Sequence, residues 1–501
     1  MGDISKIKIN ETEYNIKDAI ARQRITIYKD ISDVENANLS TNQYLYLADG
    51  SLWYAELNSD KDENGINIIT VNDTTSLELQ VEKPLKVDYL LHGGQSFVKA
   101  VKKGFELSDE LVLSPGATYE ITGGCIEIPQ NCTLRGGGWT STHIECNNST
   151  FKRAAYSAGE SGSICNNYYE NILIGHDATL TDVRLGGGNG NSVAVTMWGQ
   201  MPNLINCWFE GVGQIAIYRI GNYNSNNTAR SGGNLTHCNI YGNYIHGVDI
   251  EATNDFFIKD LIVSYGNYQT ITPNTNNPND PDNSGAWTIG IFLKNKVQAV
   301  CINGCDVMLY DRPIYTSASA YEEFAIPEHN FFTDCMFDSG ISALLTNSRN
   351  LIFTNCWFSN GRSETGERTA IRDITVDSGY GCYIMNCNGI MFNNTTFMNC
   401  GSWGCFLDTS AKNCTFNGCT FGHNGYSWSG CGGIKTAGYS TAVNGCLFSD
   451  EIADSTTGTY GIMYLGNSQY GCYEGNIFAG VSSPVSSTGS YIIAGSCNSV
   501  R

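Results

Sequence analysis

One short unit recurs along this chain and limits what it can become. Asn206-Cys-Trp-Phe209, Asp334-Cys-Met-Phe337, Asn355-Cys-Trp-Phe358 and Asn413-Cys-Thr-Phe416 share a pattern. Asn303-Gly-Cys-Asp-Val307, Asn417-Gly-Cys-Thr-Phe421 and Asn444-Gly-Cys-Leu-Phe448 read as the same unit with a glycine inserted. Phe337 to Phe358 is 21 residues, Phe397 to Phe421 is 24 and Phe421 to Phe448 is 27. A period of twenty-odd residues that contains only short strands is one rung of a solenoid. In C-x-F the two apolar residues are i and i+2, so both point to one face of a strand. Stacked rungs put Cys above Cys and Phe above Phe inside a tube. The preceding Asn or Asp falls at a corner, where its side chain bonds the same residue one rung along. A β-propeller is the competing fold, but its blade period of roughly 40–45 residues is not seen.

Composition agrees. The chain has 501 residues, beyond the roughly 250–300 at which one compact core stops growing. It is therefore several domains or a solenoid. Its 29 basic and 49 acidic residues give a net charge of −20, which argues against binding a phosphate backbone. Apolar residues make up 41%, enough to exclude global disorder. No run approaches the ~18 apolar residues of a membrane span, so no membrane insertion is expected. Met1-Gly2-Asp3-Ile4-Ser5-Lys6 lacks the basic start and apolar stretch of a secretory signal, and a cytoplasmic origin is expected. The 20 cysteines include no C-x-x-C pair. Cys301/Cys305, Cys382/Cys387, Cys400/Cys405 and Cys414/Cys419 are four or five apart with no histidine at finger spacing. Buried free thiols are the expectation, with no metal and no cofactor.

The composition shifts near residues 85–110. Residues 1–110 hold 31 charged residues, six glycines and no cysteine. Four regions follow: 1–30, an N-terminal segment with a strand at Ile7 and Ile9 and a short helix over Asp18–Arg24; 31–90, a small β domain with turns at Asp49-Gly50 and Asn64-Gly65; 91–110, a helical region; and 111–501, the solenoid.

Leu111-Val-Leu-Ser-Pro-Gly-Ala-Thr-Tyr-Glu-Ile-Thr122, then Ile126-Glu-Ile-Pro-Gln-Asn-Cys-Thr-Leu-Arg-Gly-Gly-Gly-Trp-Thr-Ser-Thr-His-Ile144, resembles the opening rungs of the pectate-lyase-like right-handed parallel β-helices. Ser96-Phe-Val-Lys-Ala-Val-Lys-Lys-Gly104 is similar to the amphipathic helix that caps that fold. Lys6-Ile-Lys-Ile-Asn-Glu-Thr-Glu-Tyr-Asn-Ile-Lys-Asp-Ala-Ile-Ala-Arg22 resembles the leading segment of structural proteins of tailed bacteriophages. Together these resemble a tail spike or tail appendage. The resemblance implies an all-β fold behind a small virion-attachment module, and assembly as a homotrimer. It also implies tail or baseplate partners at the N-terminus, a bacterial surface glycan as ligand, and location in the virion.

Catalytic motifs of the common kinds (G-x-S-x-G, H-E-x-x-H, a Walker sequence) are missing from the sequence. Thr272–Gly285, with Asp280-Pro-Asp282, reads as an excursive loop: a calcium holder, a groove wall or simply solvated chain. Gly247-Val-Asp-Ile-Glu251 lines up with Gly290-Ile-Phe-Leu-Lys294 and with Gln214-Ile-Ala-Ile-Tyr218. With Val248 and Ile250 inward, Asp249 and Glu251 point outward about 7 Å apart at Cα. The outward columns then read Ala216, Asp249, Phe292 and Tyr218, Glu251, Lys294, with His246 and Arg312 nearby. Two carboxylates beside aromatic rings suit glycoside cleavage. The competing reading is a Glu251–Lys294 surface ion pair beside a solvated Asp249. Tyr218, Tyr223, Tyr241, Tyr244, Tyr265, Tyr268 and Trp287 mark the same region as a glycan groove. A depolymerase, hydrolase or lyase, a non-enzymatic adhesin and a secreted bacterial lyase all remain open.

Overall fold

The computed structural model describes residues 6–9, 12–15, 27–156, 165–221, 231–264, 288–318, 326–360, 379–425, 430–449 and 460–500, apart from positions 38, 40–41, 58–62, 73–74 and 497. The chain divides into two units, residues 1–114 and 115–501.

In the first unit, Lys6–Ile9 pairs antiparallel with Thr12–Asn15, so the alternation at Ile7 and Ile9 does mark a strand. The helix expected over Asp18–Arg24 lies outside the described residues. A five-stranded sheet runs in the spatial order Ile27–Tyr28, Gln43–Leu47, Leu52–Leu57, Thr75–Leu79, Ile68–Asn72. Its alternation buries Leu45, Leu47, Trp53, Ala55, Leu77 and Leu79. Gly50 turns the first hairpin at φ 89°, a conformation that costs glycine little. Asn64 shapes the later turn by accepting the N–H groups of Ile66, Asn67 and Ile68. The helix Phe97–Leu107 starts at Ser96, whose hydroxyl accepts the Lys99 N–H. It buries Phe97, Ala100, Val101 and Gly104, the i, i+3, i+4, i+7 stripe. At Gly104 a Cβ would stand 2.9 Å from Leu111, so the close approach requires glycine.

The second unit is a parallel β-helix, the architecture expected from the repeat. Each rung contributes one strand to each of three parallel sheets. The first sheet has fourteen strands, beginning at Thr118–Glu120, and the second has thirteen, beginning at Ile126–Ile128. The third runs from Thr133–Arg135 to Ile493–Ala494.

The recurring unit is the corner between the third and first sheets. Asn206, His237, Asp260, Asp334, Asn355 and Asn394 all hold it with φ between 48° and 54°. Asn and Asp tolerate this left-handed conformation better than other L residues. Gly304, Gly418 and Gly445 occupy the same place at φ 61–63°. The glycine of Asn-Gly-Cys is therefore a replacement for the corner Asn and not an insertion. Asn303 ends the preceding strand opposite Lys259 and Thr333. Asn413-Cys-Thr-Phe416 also departs from the expected grouping: Phe416 pairs with Phe392 in the third sheet, whereas Phe209 lies in the first. The corner side chains do bond along the tube, Asn206 to Asp182 at 2.5 Å and Asn355 to Asp334 at 3.3 Å.

Behind most of these corners a cysteine turns inward. Cys207, Cys238, Cys305, Cys335, Cys356, Cys419 and Cys446 are buried free thiols. Cys335 Sγ donates to Thr333 O at 3.2 Å and Ile302 O at 3.5 Å; Cys356 repeats the geometry on Thr354 O and Phe332 O, both 3.5 Å. Thr395 fills one gap in the ladder and makes the same two bonds, at 3.2 and 3.4 Å. Beside the thiols run two phenylalanine columns. In the first sheet Phe337, Phe358, Phe397, Phe421, Phe448 and Phe478 stack at 4.8–5.1 Å. In the third sheet Phe332, Phe353, Phe392 and Phe416 stack at 4.4–5.1 Å. The columns meet edge to face, as at Phe358–Phe392. Each buried ring contributes ~1.5–3 kcal/mol, and each ring pair about 0.5–1.5 kcal/mol more. Among the described residues no three His, Cys, Asp or Glu side chains are placed to hold a metal, and no helix is long and apolar enough to cross a membrane.

Candidate functional site

The candidate carboxylates lie on the strand Asn243–Glu251 of the second sheet, between Val212–Ile220 and Ile289–Leu293. Val248 and Ile250 are fully buried and pair with Ile291 and Leu293, in the expected register. The register against the preceding rung differs by two residues. Tyr218 opposes Asp249, and Ile220 opposes Glu251. The outward column is therefore Tyr218, Asp249, Phe292, Tyr315, and Ala216 is opposite Gly247. A slip of two keeps every side chain on its face, which is why Tyr218 still faces outward.

His246 and Asp249 are three residues apart, and regular alternation would put them on opposite faces. Gly247 breaks the alternation. A Cβ there would stand 2.5 Å from Val263 Cγ1, and one on Gly290, the next rung's equivalent, 2.2 Å from Val307 Cγ1. Both glycines press against the core beside the inward Val248 and Ile291, so His246, on the other side of Gly247 from Val248, turns outward with Asp249. His246 Nδ1 consequently lies 3.0 Å from the Asp249 carboxylate, and Lys294 Nζ donates to it at 2.8 Å.

Asp249 is not solvated: its exposure is 0%. The surface Glu251–Lys294 pair is replaced by a buried Asp249–Lys294 pair, with Lys294 only 4% exposed. Burial opposes ionisation of Asp249, but the charges of His246 and Lys294 outweigh it and hold the carboxyl below its ordinary range. Glu251, half-buried, accepts a hydrogen bond from the Tyr218 hydroxyl at 2.7 Å. Rings close the cluster. Lys294 Nζ lies 5.0 Å from the Phe292 centroid and 5.9 Å from that of Tyr218. His246 meets Phe292 edge-on at 5.8 Å, and Phe292 stacks on Tyr315 at 4.7 Å.

Some expected participants stand apart. Arg312 shares the His246 column, but Ile289 separates them, and its Nη1 donates to Ser342 O at 3.2 Å. Tyr218 and Tyr244 are buried and not exposed. Tyr241 is 39% exposed and stacks on Trp208, which stacks on Trp139. Tyr223, Tyr265, Tyr268, Trp287 and the 272–285 loop lie outside the described residues.

The structure adds members that the repeat did not reveal. Tyr156 packs 6.2 Å from Tyr218 and donates to Glu170 at 3.2 Å. Arg153 joins Glu170 at 2.6 Å to Glu127 at 2.7 Å. Tyr156 sits in no repeat unit, so no signal marked it. Tyr315 carried one: Ile215-x-x-Tyr218, Ile289-x-x-Phe292 and Arg312-x-x-Tyr315 share the i, i+3 spacing imposed by the break at Gly247. Chemically, the clamp on Asp249 orients Lys294 and His246, while the Tyr218 hydroxyl fixes the Glu251 carboxylate by donating to it.

No protein-family model matches this chain, and no curated protein matches it by sequence. Solved structures do. The chain is similar to the N-terminal fragment of bacteriophage Phi29 gene product 12, with TM-score 0.54 and 13% identity over 82% of this chain and 70% of that one. Tailspike protein 3 of bacteriophage CBA120 gives TM-score 0.49 and 14% identity, covering 86% of this chain; this chain spans 64% of that protein. The A-module of the Azotobacter vinelandii mannuronan C-5 epimerase AlgE4 gives 0.44 and 12%, covering 82% of this chain and 99% of that one. At 13% identity the likeness to the Phi29 fragment concerns the fold alone, the class of parallel β-helices that the three sheets already define.

Proposed function

We propose that this protein is a tail spike or tail appendage of a tailed bacteriophage that recognises a bacterial surface polysaccharide on the outer face of its second sheet. The observation that carries the reading is the charged cluster on the outside of the tube. Burying the Asp249–Lys294 pair costs several kcal/mol of desolvation per ion, and the apolar core gains nothing from it. Such a cluster makes sense where a ligand is oriented. The resemblance of Lys6–Arg22 to virion-attachment segments supports the phage context and the assignment of tail or baseplate partners to the N-terminus. The trimer belongs to the same proposal.

In its sharper form the reading includes cleavage. Glu251 takes a proton, from the water that adds to the anomeric carbon in a hydrolysis or from the sugar ring in an elimination, as the glycosidic C–O bond breaks and the leaving oxygen takes a proton from solvent. Tyr218 hydrogen-bonds the Glu251 carboxylate, and Asp249 holds Lys294 and His246 against the rings. Asp249 is then a positioning residue in place of the expected second catalytic carboxylate. The clamped Asp249 also favours a second reading, an adhesin that binds without cutting.

The test is a panel of purified bacterial capsular and wall polysaccharides incubated with the full chain. Retention in a polysaccharide-loaded gel is expected. Release of reducing ends, lost by ~10²-fold or more in Glu251→Gln with retention and melting temperature kept, marks the depolymerase. Ultraviolet absorbance of an unsaturated product marks it as a lyase. Retention without release leaves the adhesin, and no retention on any host glycan refutes the proposal.

A further inference from the structure

The outward column of the second sheet continues past the Asp249 cluster. Register carries it from Tyr315 to Leu344, Tyr383, Phe406, Lys435 and Met463. Asp249 to Lys435 is six strand spacings, about 29 Å along the tube. A second aromatic cluster stands there, outside the core. Tyr380 and Trp403 are buried, with half-buried Tyr383, Phe406 and Tyr460 packed against them. Tyr383 stacks on Phe406 at 5.1 Å with an interplanar angle of 10°, and Trp403 on Tyr460 at 5.9 Å.

Lys435 is the one charge in this stretch of the column. Its ammonium lies 5.2 Å from the Phe406 centroid and 6.0 Å from that of Trp403, a cation–π contact worth about 0.5–1 kcal/mol at an exposed site. Lys294 occupies a similar aromatic setting and has Asp249 at 2.8 Å. Among the described residues Lys435 has no carboxylate within ion-pair distance. In a chain of net charge −20, a half-buried cation fixed on an aromatic floor complements an anion brought by a ligand.

We infer that this platform is a second glycan subsite, one that takes a sugar bearing a carboxylate, such as a uronic acid. The inference rests on the glycan reading above. The aromatic floor contacts the C–H groups of the ring, and the Lys435 ammonium pairs with the carboxylate. Because the column runs parallel to the tube, a linear acidic polysaccharide lying on the Asp249 cluster passes over Lys435.

The test is saturation-transfer NMR on the full chain with methyl β-glucuronide and methyl β-glucoside as probes. Stronger transfer to the glucuronide is expected. Lys435→Met should reduce that preference by up to about five-fold, the range for one exposed ion pair, and Lys435→Arg should restore it. Far-ultraviolet circular dichroism checks that each variant is folded. Equal transfer to both sugars, or a glucuronide preference untouched by Lys435→Met, overturns the inference. Polysaccharide retention in the gel assay is read separately, so that result leaves the general glycan reading standing. A change in mass by light scattering in Lys435→Met, with sugar signals unchanged, assigns the face to contact between copies and also overturns the inference.

Discussion

Asp249 illustrates how one residue's surroundings decide its role. On an ordinary strand it would be a solvated carboxylate. Here His246 at 3.0 Å and Lys294 at 2.8 Å enclose it completely. Asp249→Asn leaves the buried Lys294 without its counter-charge and is expected to cost roughly 3–5 kcal/mol at neutral pH. The pH dependence has a definite sign. A carboxyl held below its ordinary range contributes stability above the unfolded value of about 3.9, and that contribution is lost as pH falls through the folded value. Urea titrations at pH 7 and pH 3 should therefore show a large gap between native protein and Asp249→Asn that shrinks in acid. An equal gap at both pH values would mean that the ion pairs add no stability.

At the scale of the element, the cysteine ladder stands on shape and hydrogen bonding and not on thiol chemistry. Burial pushes the Cys207 thiol of the ladder well above its ordinary range and the Cys387 and Cys400 thiols, at other corners of the tube, up to about 12. These three are therefore neutral and unreactive near pH 7, while hydrogen bonds from neighbouring buried thiols draw Cys335 and Cys446 down. A thiol reagent should titrate few groups in the native protein and many more after denaturation. Thr395 already makes the ladder's two hydrogen bonds, so Cys356→Thr should cost about 1 kcal/mol or less. Cys356→Leu, which forces extra methylenes into a packed corner, should cost about 1–3 kcal/mol. Chemical denaturation of both variants compares the two. If leucine is the better tolerated, the corner has spare volume and the packing account fails.

For the whole molecule, the repeat architecture makes stability a sum of rung and neighbour terms. The β-helix does not need a distant domain to form its core, whose columns are built from residues of the second unit alone. Deleting residues 1–90, which keeps the Phe97–Leu107 helix, is expected to leave a folded β-helix by circular dichroism that no longer joins virions. An unfolded product places the boundary elsewhere. The trimer is checked by light scattering of the full chain at micromolar concentration, and a monomeric mass refutes it.

The sequence by itself determined the tube. Rung length, inward Cys and Phe, and the Asn or Asp corner are local properties, since strand parity and left-handed φ depend on a few adjacent residues, whereas only the fold showed that the glycine of Asn-Gly-Cys takes the corner place itself. It also placed Val248 and Ile250 inward and set Gly247 opposite Gly290, because glycine is needed where the strand meets Val263 and Val307. The tertiary structure alone decided which outward residues meet. The slip that set Tyr218 beside Asp249 leaves parity unchanged, so no apolar pattern penalised the wrong register. The burial of the site had no local signature either. Tyr218 clusters with Tyr168, Val193, Ile215 and Ile220, under Tyr156 and Trp198, residues from three different rungs and from segments outside the repeat. Burial on the outside of a tube is a sum over segments distant in sequence, whereas burial inside it follows from the period of two.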